Sequence, residues 1–309
     1  MFERIADDSR SGATTLTELA AREMAALAEE WEGSDPGSIW EKLLDASRAL
    51  LAAKREMASI VNLVGRVLSA AERVVLTGLS PDAVAHAVVA ECERTWQTIG
   101  EDIADLGREG AGLVSGGSVV ATVSSSAAVR SVLDAARAGG ARFRVVVSEG
   151  RPKNEGIALA RDLAGIGIET TLVVDAALPA VSRSADLVLV GADAVSEEDF
   201  VNKTGTLPLL LVAEGAGIPC HAVALSDRFI PKALRGRPDR LHPSEEILPD
   251  APPGLRIRNA YFETVPTGLL RSVITENGHV PPEEIGAQPH ERPLPPAPPH
   301  LRLPNTQHV

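Results

Sequence analysis

The chain has 309 residues, of which 44% are hydrophobic and 23% are charged, and its formal net charge is −12 at pH 7. This length allows one large domain or two modest ones with a substantial buried core. The acidic balance and the small aromatic content (three Trp, one Tyr and five Phe) argue against a nucleic-acid partner, which needs a basic surface and a stacking platform.

No apolar run reaches the length of a membrane-spanning helix, and residues 1–10 are too charged for a signal peptide. We therefore expect no membrane partner and a cytoplasmic location. The two cysteines, Cys92 and Cys220, lack metal-ligand spacing and are predicted to be small core residues. Because the seven histidines are scattered, we expect neither a metal site nor a cofactor.

The first hundred or so residues have the pattern of a helical domain. Residues 11–31 place apolar side chains at spacings near 3.6, which is typical of an amphipathic helix. Ser38, with a Glu three residues later, predicts the start of a second helix that extends to about residue 71. Pro81 predicts the start of a third. We therefore predict a helical N-terminal domain over residues 1–115.

From residue 119 onward, short β-branched runs alternate with helical stretches that are rich in Ala and Leu. Near-continuous apolar strands that alternate with helices are typical of a parallel sheet covered on both faces. The predicted fold class is α/β, with a helical N-terminal domain followed by a doubly wound, mainly parallel, Rossmann-like sheet domain over residues 116–285. The Pro-rich residues 286–309 are predicted to be a disordered tail.

Polar residues follow the predicted strands at their carboxyl ends, which is where open parallel sheets bind ligands. These residues are Thr122, Ser124, Ser125, Ser126, Arg151, Asp175 and Asp193. Serine hydroxyls and N–H groups before a helix can hold an oxyanion, and Arg151 and Lys203 can add positive charge. Because no strand is followed by a Walker loop or G-x-G-x-x-G, we expect a sugar phosphate or nucleoside monophosphate as ligand.

Most of these residues also have a purely structural interpretation. Helix capping is the simpler explanation for Ser125, Ser126 and Asp175. Arg151 precedes a proline and could lie in a solvated turn. The arginines between residues 228 and 240 are predicted to form a solvated loop.

The stretch from 190 to 206 sends Asp193 off the end of an apolar run and then brings Asn202 and Lys203 back towards it. Asn202 and Lys203 could merely hold the loop before the last helix. Asp193 is harder to explain structurally, because an acid at the end of a buried strand costs free energy unless it is paired or used. We therefore predict that Asp193 points into a crevice and has a function.

Several segments resemble the superfamily that contains the α, β and δ regulatory subunits of eukaryotic initiation factor 2B, ribose-1,5-bisphosphate isomerase and methylthioribose-1-phosphate isomerase. The matching segments are GAD at 191–193, NKTGT at 202–206, SEGRPKNEG at 148–156, TLVVDAA at 171–177, residues 258–277, and SRSGATTL at 9–16. The likeness covers roughly residues 5–285. It implies that the chain forms a homodimer or a higher homo-oligomer.

The isomerases of this superfamily open a sugar phosphate and move its carbonyl between C1 and C2. The resemblance implies that Asp193 carries protons in this reaction. The ligand-binding residues that it implies, together with those at the strand ends, are Arg10, Ser11, Gly12, Ala13, Thr122, Ser125, Ser126, Arg151, Glu155, Asn202 and Lys203.

Residue 124 departs from the isomerase pattern. The family's T-H-C-N/H-S aligns with TVSSS at 122–126, so Ser124 takes the place of the cysteine. An unassisted serine hydroxyl does not exchange protons near neutral pH as a thiol does. The sequence therefore favours a non-catalytic, initiation-factor-2B-like protein that binds a sugar phosphate or nucleoside monophosphate. The alternative is an aldose–ketose isomerase of a phosphorylated ribose that uses Asp193, with Ser124 or water replacing the thiol.

Overall fold

The computed structural model of the chain describes residues 2–8, 11–32, 36–78, 80–238 and 240–289. These residues form two units, one up to Gly100 and one from Glu101 to Pro289. Within the described part of the chain, no helix is both long and apolar enough to cross a membrane.

The first unit is helical, as predicted. Its helices are α1 (Glu3–Asp7), α2 (Ala13–Glu29), α3 (Pro36–Lys54), α4 (Ala58–Leu76) and α5 (Pro81–Ala111). Helix α2 buries Leu16, Ala20 and Met24 along one side, which follows the spacing seen in the sequence. The border between the two units falls within α5, whereas the sequence-based border at residue 115 follows this helix.

The single helix predicted from Ser38 to about residue 71 is wrong, because the chain turns between α3 and α4. Met57 is extended (φ −97°, ψ 109°), and its N–H donates to the Lys54 carbonyl at 3.0 Å. A straight helix of that length would extend about 50 Å. The turn instead lets α3 and α4 pack against each other, which buries apolar side chains of both helices.

The second unit contains two sheets and the helices that connect their strands. The strands are β1 (Val119–Thr122), β2 (Arg144–Ser148), β3 (Glu169–Val173), β4 (Leu187–Gly191), β5 (Ala194–Val195), β6 (Asp199–Lys203), β7 (Cys220–Val223), β8 (Phe262–Pro266), β9 (Ser272–Thr275) and β10 (Gly278–Val280). The helices are α6 (Ala127–Ala138), α7 (Glu155–Gly165), α8 (Leu178–Val181) and α9 (Thr206–Gly215).

The larger sheet has the strand order β10-β9-β7-β4-β1-β2-β3. Its neighbouring strands are parallel, except for the antiparallel pair of β9 and β10. The prediction of a mainly parallel α/β sheet is therefore confirmed. The strand order reverses direction between β1 and β4. At such a point, open α/β sheets bind ligands in the crevice at the carboxyl ends of the two strands.

The smaller sheet is antiparallel and has the order β5-β6-β8. It places Asn202 opposite Glu263 and Lys203 opposite Phe262. Asn202 and Lys203 both lie in β6, the strand that precedes the loop before α9. The sequence of β6 does not have the pattern of a buried strand, because three of its five residues are polar. These residues, Asp199, Asn202 and Lys203, are nevertheless all buried.

The arginines between 228 and 240 do not all lie in a solvated loop, so that prediction is wrong in part. Arg228 is buried, and Arg235 lies 2.6 Å from the carboxylate of Asp199. The buried carboxylate at the start of β6 needs a cation, which explains why Arg235 is drawn inwards. Arg237 and Arg240 are exposed.

Cys92 and Cys220 are buried free cysteines, as predicted. The predicted disordered tail begins at residue 286, but Gly286 and Ala287 belong to a 3-10 turn, Pro282–Ala287, which buries Ile285. Residues from 290 onward lie outside the described part of the chain.

Candidate functional site

The polar residues of interest converge where β1 and β4 end, at the crossover of the larger sheet. Ser124 follows β1, and Asp193 follows β4. The β5–β6 hairpin returns the chain to this edge, because the N–H of Asp193 donates to the carbonyl of Val201 at 2.8 Å. The smaller sheet therefore brings Asn202 and Lys203 to the carboxyl edge of the larger one.

Ser124 combines a left-handed backbone with an unsatisfied hydroxyl. Its φ is +56°, and its N–H donates to Ser148 Oγ at 3.4 Å. Its own Oγ is buried and has no hydrogen-bond partner among the described residues. The left-handed conformation costs about 1–2 kcal/mol, and an unpaired buried hydroxyl costs about 1–3 kcal/mol. Unfavourable terms of this kind concentrate at functional sites.

Gly150 follows β2 and allows Ser124 and Glu155 to approach the same point. A Cβ on Gly150 would lie 2.6 Å from Ser124 Oγ and 3.3 Å from Glu155 Oε2. Its φ of +75° also favours glycine. The carboxylate of Asp175 accepts hydrogen bonds from the N–H groups of Gly150 and Arg151, at 2.9 and 2.7 Å. Asp175 therefore holds this loop and does not act as a helix cap.

Lys203 is held in place by a carboxylate and two aromatic rings. Its Nζ donates to Glu155 Oε1 at 2.6 Å. The same ammonium lies 5.2 Å from the ring centroid of Tyr261 and 5.4 Å from that of Phe262, within the range of a cation–π interaction. Because the lysine and Glu155 are both largely buried, this ion pair is poorly screened by solvent.

Asn202, Ser126 and Gly191 lie close together on the other side of the crevice. Asn202 Nδ2 donates to Thr206 Oγ1 at 2.9 Å, and Ser126 caps α6 by accepting from the N–H of Val129. A Cβ on Gly191 would lie 2.7 Å from Ser126 Oγ and 3.5 Å from Asn202 Oδ1. Glycine at this position therefore allows α6, β4 and β6 to meet.

The other predicted site residues are distributed differently. Thr122 is buried at the end of β1, and Ser125 is exposed. Arg151 is exposed, and within the described part of the chain its side chain forms no ion pair or hydrogen bond. Ser11, Gly12 and Ala13 belong to the helical unit, in which α2 begins at Ala13. Arg10 lies outside the described residues.

Sequence reasoning missed a second Lys–Glu pair beside this site. Lys153 Nζ donates to Glu246 Oε1 at 2.6 Å. Asn259 Nδ2 donates to Glu246 Oε2 at 2.8 Å, and the Tyr261 hydroxyl donates to the same oxygen. Burial of the Glu246 carboxyl opposes its ionisation, but the hydrogen bonds from Lys153, Tyr261 and Asn259 prevail and lower its pKa to about 2.

Tyr261 connects the two Lys–Glu pairs. The Lys153 ammonium lies 5.7 Å from its ring centroid, and the ring of His242 stacks on it at 3.5 Å. The segment that joins β7 to β8 is thereby tied to the edge of the site. The sequence did contain a signal, since Tyr261 is the chain's one tyrosine and lies within the 258–277 motif.

A cavity of about 850 Å³ lies at the opposite, amino-terminal edge of the larger sheet. His221, Arg271, Ser272 and His279 are among its lining residues, and none of the predicted site residues lines it. Burial lowers the pKa of His221 to about 4, and the nearby His279 and Arg271 contribute to this shift. Among the described residues, no group of three or more His, Cys, Asp or Glu side chains could hold a metal ion.

Known proteins resemble this chain over most of its length. A sequence model of the initiation factor 2 subunit family matches residues 9–282. The ribose 1,5-bisphosphate isomerase of Methanocaldococcus jannaschii is 28% identical and covers 91% of both chains. That of Haloferax volcanii is 30% identical over 89% of this chain and 85% of its own. A putative translation initiation factor eIF-2B subunit 2-like protein of Pyrococcus furiosus is 29% identical over 92% of this chain and 97% of its own.

The fold is also similar to solved structures. The Pyrococcus horikoshii translation initiation factor eIF-2B superposes with a TM-score of 0.78 at 26% identity, covering 91% of this chain and 95% of that one. A 5-methylthioribose 1-phosphate isomerase of the same organism gives 0.69 at 23% identity, covering 93% and 84%. That second likeness concerns the fold alone. Since the family model spans both structural units, the chain belongs to the initiation factor 2 subunit family.

Proposed function

We propose that this protein is an aldose–ketose isomerase that acts on a phosphorylated ribose at the carboxyl edge of β1 and β4. The observation that carries the proposal is that Asp193, Asn202 and Lys203 lie at the same edge of the sheet as the buried, unsatisfied Ser124 hydroxyl. The isomerase names of full-length relatives also support this activity. They favour it over the non-catalytic role that the sequence alone suggested.

The phosphate would bind at the positive edge of this crevice. The N-terminus of α6 lies at this edge, where Ser126 already accepts from the N–H of Val129. The other N–H groups of a first helical turn lack a partner within the helix and, together with the helix dipole, attract anions. Arg151 can add a bidentate contact and Lys203 a point charge. The roles of these residues as phosphate ligands are part of the proposal, as are those of Thr122, Ser125 and Ser126.

In the proposed reaction, Asp193 protonates the ring oxygen as the bond from C1 to that oxygen breaks. It later removes the proton of the 2-hydroxyl, so the carboxyl group is regenerated. The proton on C2 moves to C1 in the same sequence, and the carbonyl appears at C2. The product therefore has the same atoms as the substrate, and no external oxidant or reductant is needed.

A second candidate function is binding of the same ligand without turnover. Ser124 favours this candidate, because its hydroxyl stands where the isomerases of the superfamily have a thiol. A sugar phosphate or a nucleoside monophosphate would occupy the crevice in that case. The two candidates share the ligand site and differ only in the fate of the ligand.

The test is incubation of the purified protein with ribose 1,5-bisphosphate, followed by phosphorus and proton NMR. We expect signals of a ketose bisphosphate to appear and the rate to fall by about 100-fold or more in Asp193→Asn, because a group that transfers protons is lost. Asp162→Asn, which changes an exposed carboxylate on α7, should retain full activity. Broadened ligand signals without conversion would instead establish the binding protein.

We infer further that the protein forms a homodimer or a higher homo-oligomer. β3 is an edge strand of the larger sheet, and Leu172, Val174 and Val181 expose apolar side chains in and after it. An exposed apolar strand edge favours pairing with another chain. A cytoplasmic location stays a prediction from the sequence.

A further inference from the structure

Glu155 has a buried carboxylate oxygen that no protein group in the described part of the chain uses. The oxygen is Oε2, and Ser124 Oγ is unsatisfied in the same way. Both atoms lie within 3.3 Å of one point, the position of a Cβ on Gly150. The hydroxyl and the carboxylate oxygen are therefore close enough for one ligand held beside Gly150 to contact both.

The orientation of Glu155 is fixed by its other oxygen. Oε1 accepts from Lys203 Nζ at 2.6 Å, so Oε2 is the atom that remains available towards Ser124. Glu155 is the first residue of α7, and the adjacent Gly156 packs so closely on β2 that a Cβ there would lie 1.8 Å from the Ser148 carbonyl oxygen. The start of α7 therefore cannot move away from β2 without breaking this contact.

Other glutamates near the site are engaged through their carboxylates. Glu263 accepts from the N–H groups of Gly205 and Leu207 at 2.8 and 2.9 Å, which caps α9. Glu246 accepts from Lys153 and two further side chains. Glu155 differs from both, because one of its oxygens is buried and has no partner within the described residues.

With serine at position 124, the proton transfer at C2 needs another base, and Glu155 can supply it. A serine hydroxyl does not take up a proton from carbon near neutral pH, whereas a carboxylate beside it acts as a general base. We propose that Glu155 carries the proton from C2 to C1 during isomerisation, while Ser124 donates a hydrogen bond to the substrate. This inference rests on the proposed isomerase function of the same site.

The proton and electron pairs balance over the cycle. After Asp193 has protonated the ring oxygen and the ring has opened, Glu155 Oε2 removes the proton on C2, and the C–H electrons form a double bond between C1 and C2. Asp193 then removes the proton of the 2-hydroxyl to form the C2 carbonyl. Glu155 then returns the proton to C1, where the electrons of the double bond form the new C–H bond. Both carboxyl groups thereby regain their starting states.

The test compares Glu155→Gln in two backgrounds, the natural chain and Ser124→Cys. Glutamine keeps a carbonyl oxygen for Lys203 but cannot act as a base. We expect Glu155→Gln to lower kcat for ribose 1,5-bisphosphate by about 100-fold or more in the natural chain. In the Ser124→Cys background, the thiol can transfer this proton instead. Glu155→Gln should therefore lower kcat by less than about tenfold in that background. Glu214→Gln, an exposed glutamate on α9, is the matched control and should have no effect.

The outcomes separate this inference from the proposed function. If the natural chain turns over substrate and Glu155→Gln keeps its kcat, or loses activity equally in both backgrounds, Glu155 is only structural and the inference is wrong. If the natural chain produces no ketose phosphate, the isomerase proposal fails and Glu155 has no proton to carry. Circular dichroism and thermal unfolding of each variant exclude misfolding as the cause of a lost rate.

Discussion

Gly191 is a residue at which the candidate site leaves no room for a side chain. It ends β4, and its missing side chain leaves room for Ser126 at the start of α6 and for Asn202 on β6. Interiors packed this closely respond to added atoms by shifting neighbouring groups, at a typical cost of about 1–3 kcal/mol. The glycine of the GAD motif therefore has a steric role in addition to any role of Asp193.

Replacement of this glycine tests whether close approach matters for the site. We expect Gly191→Ala to lower the free energy of unfolding by about 1–3 kcal/mol, since the new Cβ would lie 2.9 Å from Ser126 Cβ. Binding of ribose 1,5-bisphosphate should weaken as Ser126 and Asn202 are displaced. Urea unfolding and ligand titration by NMR measure the two effects.

Gly215→Ala is the control for that experiment, because a Cβ at Gly215 would meet nothing within 4 Å. Alanine at the end of α9 should leave stability unchanged or slightly raise it. Equal destabilisation by the two substitutions would contradict the steric explanation.

At the residue scale, some residues of the candidate site could be predicted from the sequence and others could not. Asp193 could be predicted as a site residue, because it is a charged residue that follows a run of buried apolar ones. Lys153 and Glu246 were not, since the two residues are 93 positions apart and each looks like an ordinary surface charge. Contacts over such separations follow from the fold, which periodicity alone does not provide.

At the element scale, the strands β1, β2, β4 and β7 were predictable because each is an almost continuous apolar run. The strands β5, β6 and β8 could not be predicted in this way, because they are short or contain polar residues that become buried at the site. The turn between α3 and α4 was missed for a different reason. Its residues, Arg55–Met57, include no glycine or proline, so no local breaker marks the helix end.

The segment between β7 and β8 should loosen in acid, because Glu246 holds it through hydrogen bonds to an ionised carboxylate. Its pKa is lowered from 4.5 to about 2 in the folded protein. The resulting stabilisation is therefore complete above about pH 5 and is lost as the pH falls towards 2. We expect Glu246→Gln to make the free energy of unfolding less dependent on pH in this window, as measured by urea unfolding from pH 5 down to pH 2.

Glu245→Gln removes a neighbouring exposed carboxylate and should leave the acid dependence of stability as it is in the natural chain. An unchanged pH dependence in Glu246→Gln would show that Lys153 and Tyr261 do not stabilise the ionised form.

At the scale of the whole molecule, the alternation of strands and helices after residue 119 was enough to predict the fold class. The reason is that a parallel sheet requires a crossover helix between successive strands, and this leaves a pattern along the entire chain. The small antiparallel sheet leaves no such pattern. Two of its strands, β6 and β8, are separated by α9, β7 and the long segment that follows β7, so their pairing depends on the finished fold.

The association state is the property of the whole molecule that the edge strand β3 should influence. We expect light scattering coupled to size-exclusion chromatography to give a mass of at least twice 32.4 kDa. Val174→Asp should shift the protein towards the monomer, because a charge then replaces an exposed apolar side chain. Leu255→Asp, at a similarly exposed residue, serves as the control and should leave the mass unchanged. A natural chain of monomeric mass would contradict the predicted assembly.

The ring of Tyr261 gives the site a spectroscopic label of its own. The ammonium groups of Lys203 and Lys153 lie 5.2 and 5.7 Å from its centroid, and Tyr261 is the one tyrosine in the sequence. Protein made with carbon-13 in its tyrosine rings would therefore yield signals from a single residue, already assigned and placed at the edge of the crevice. Any molecule that draws either lysine away from the ring would change those chemical shifts, so unknown ligands can be screened against this protein without an assay for turnover.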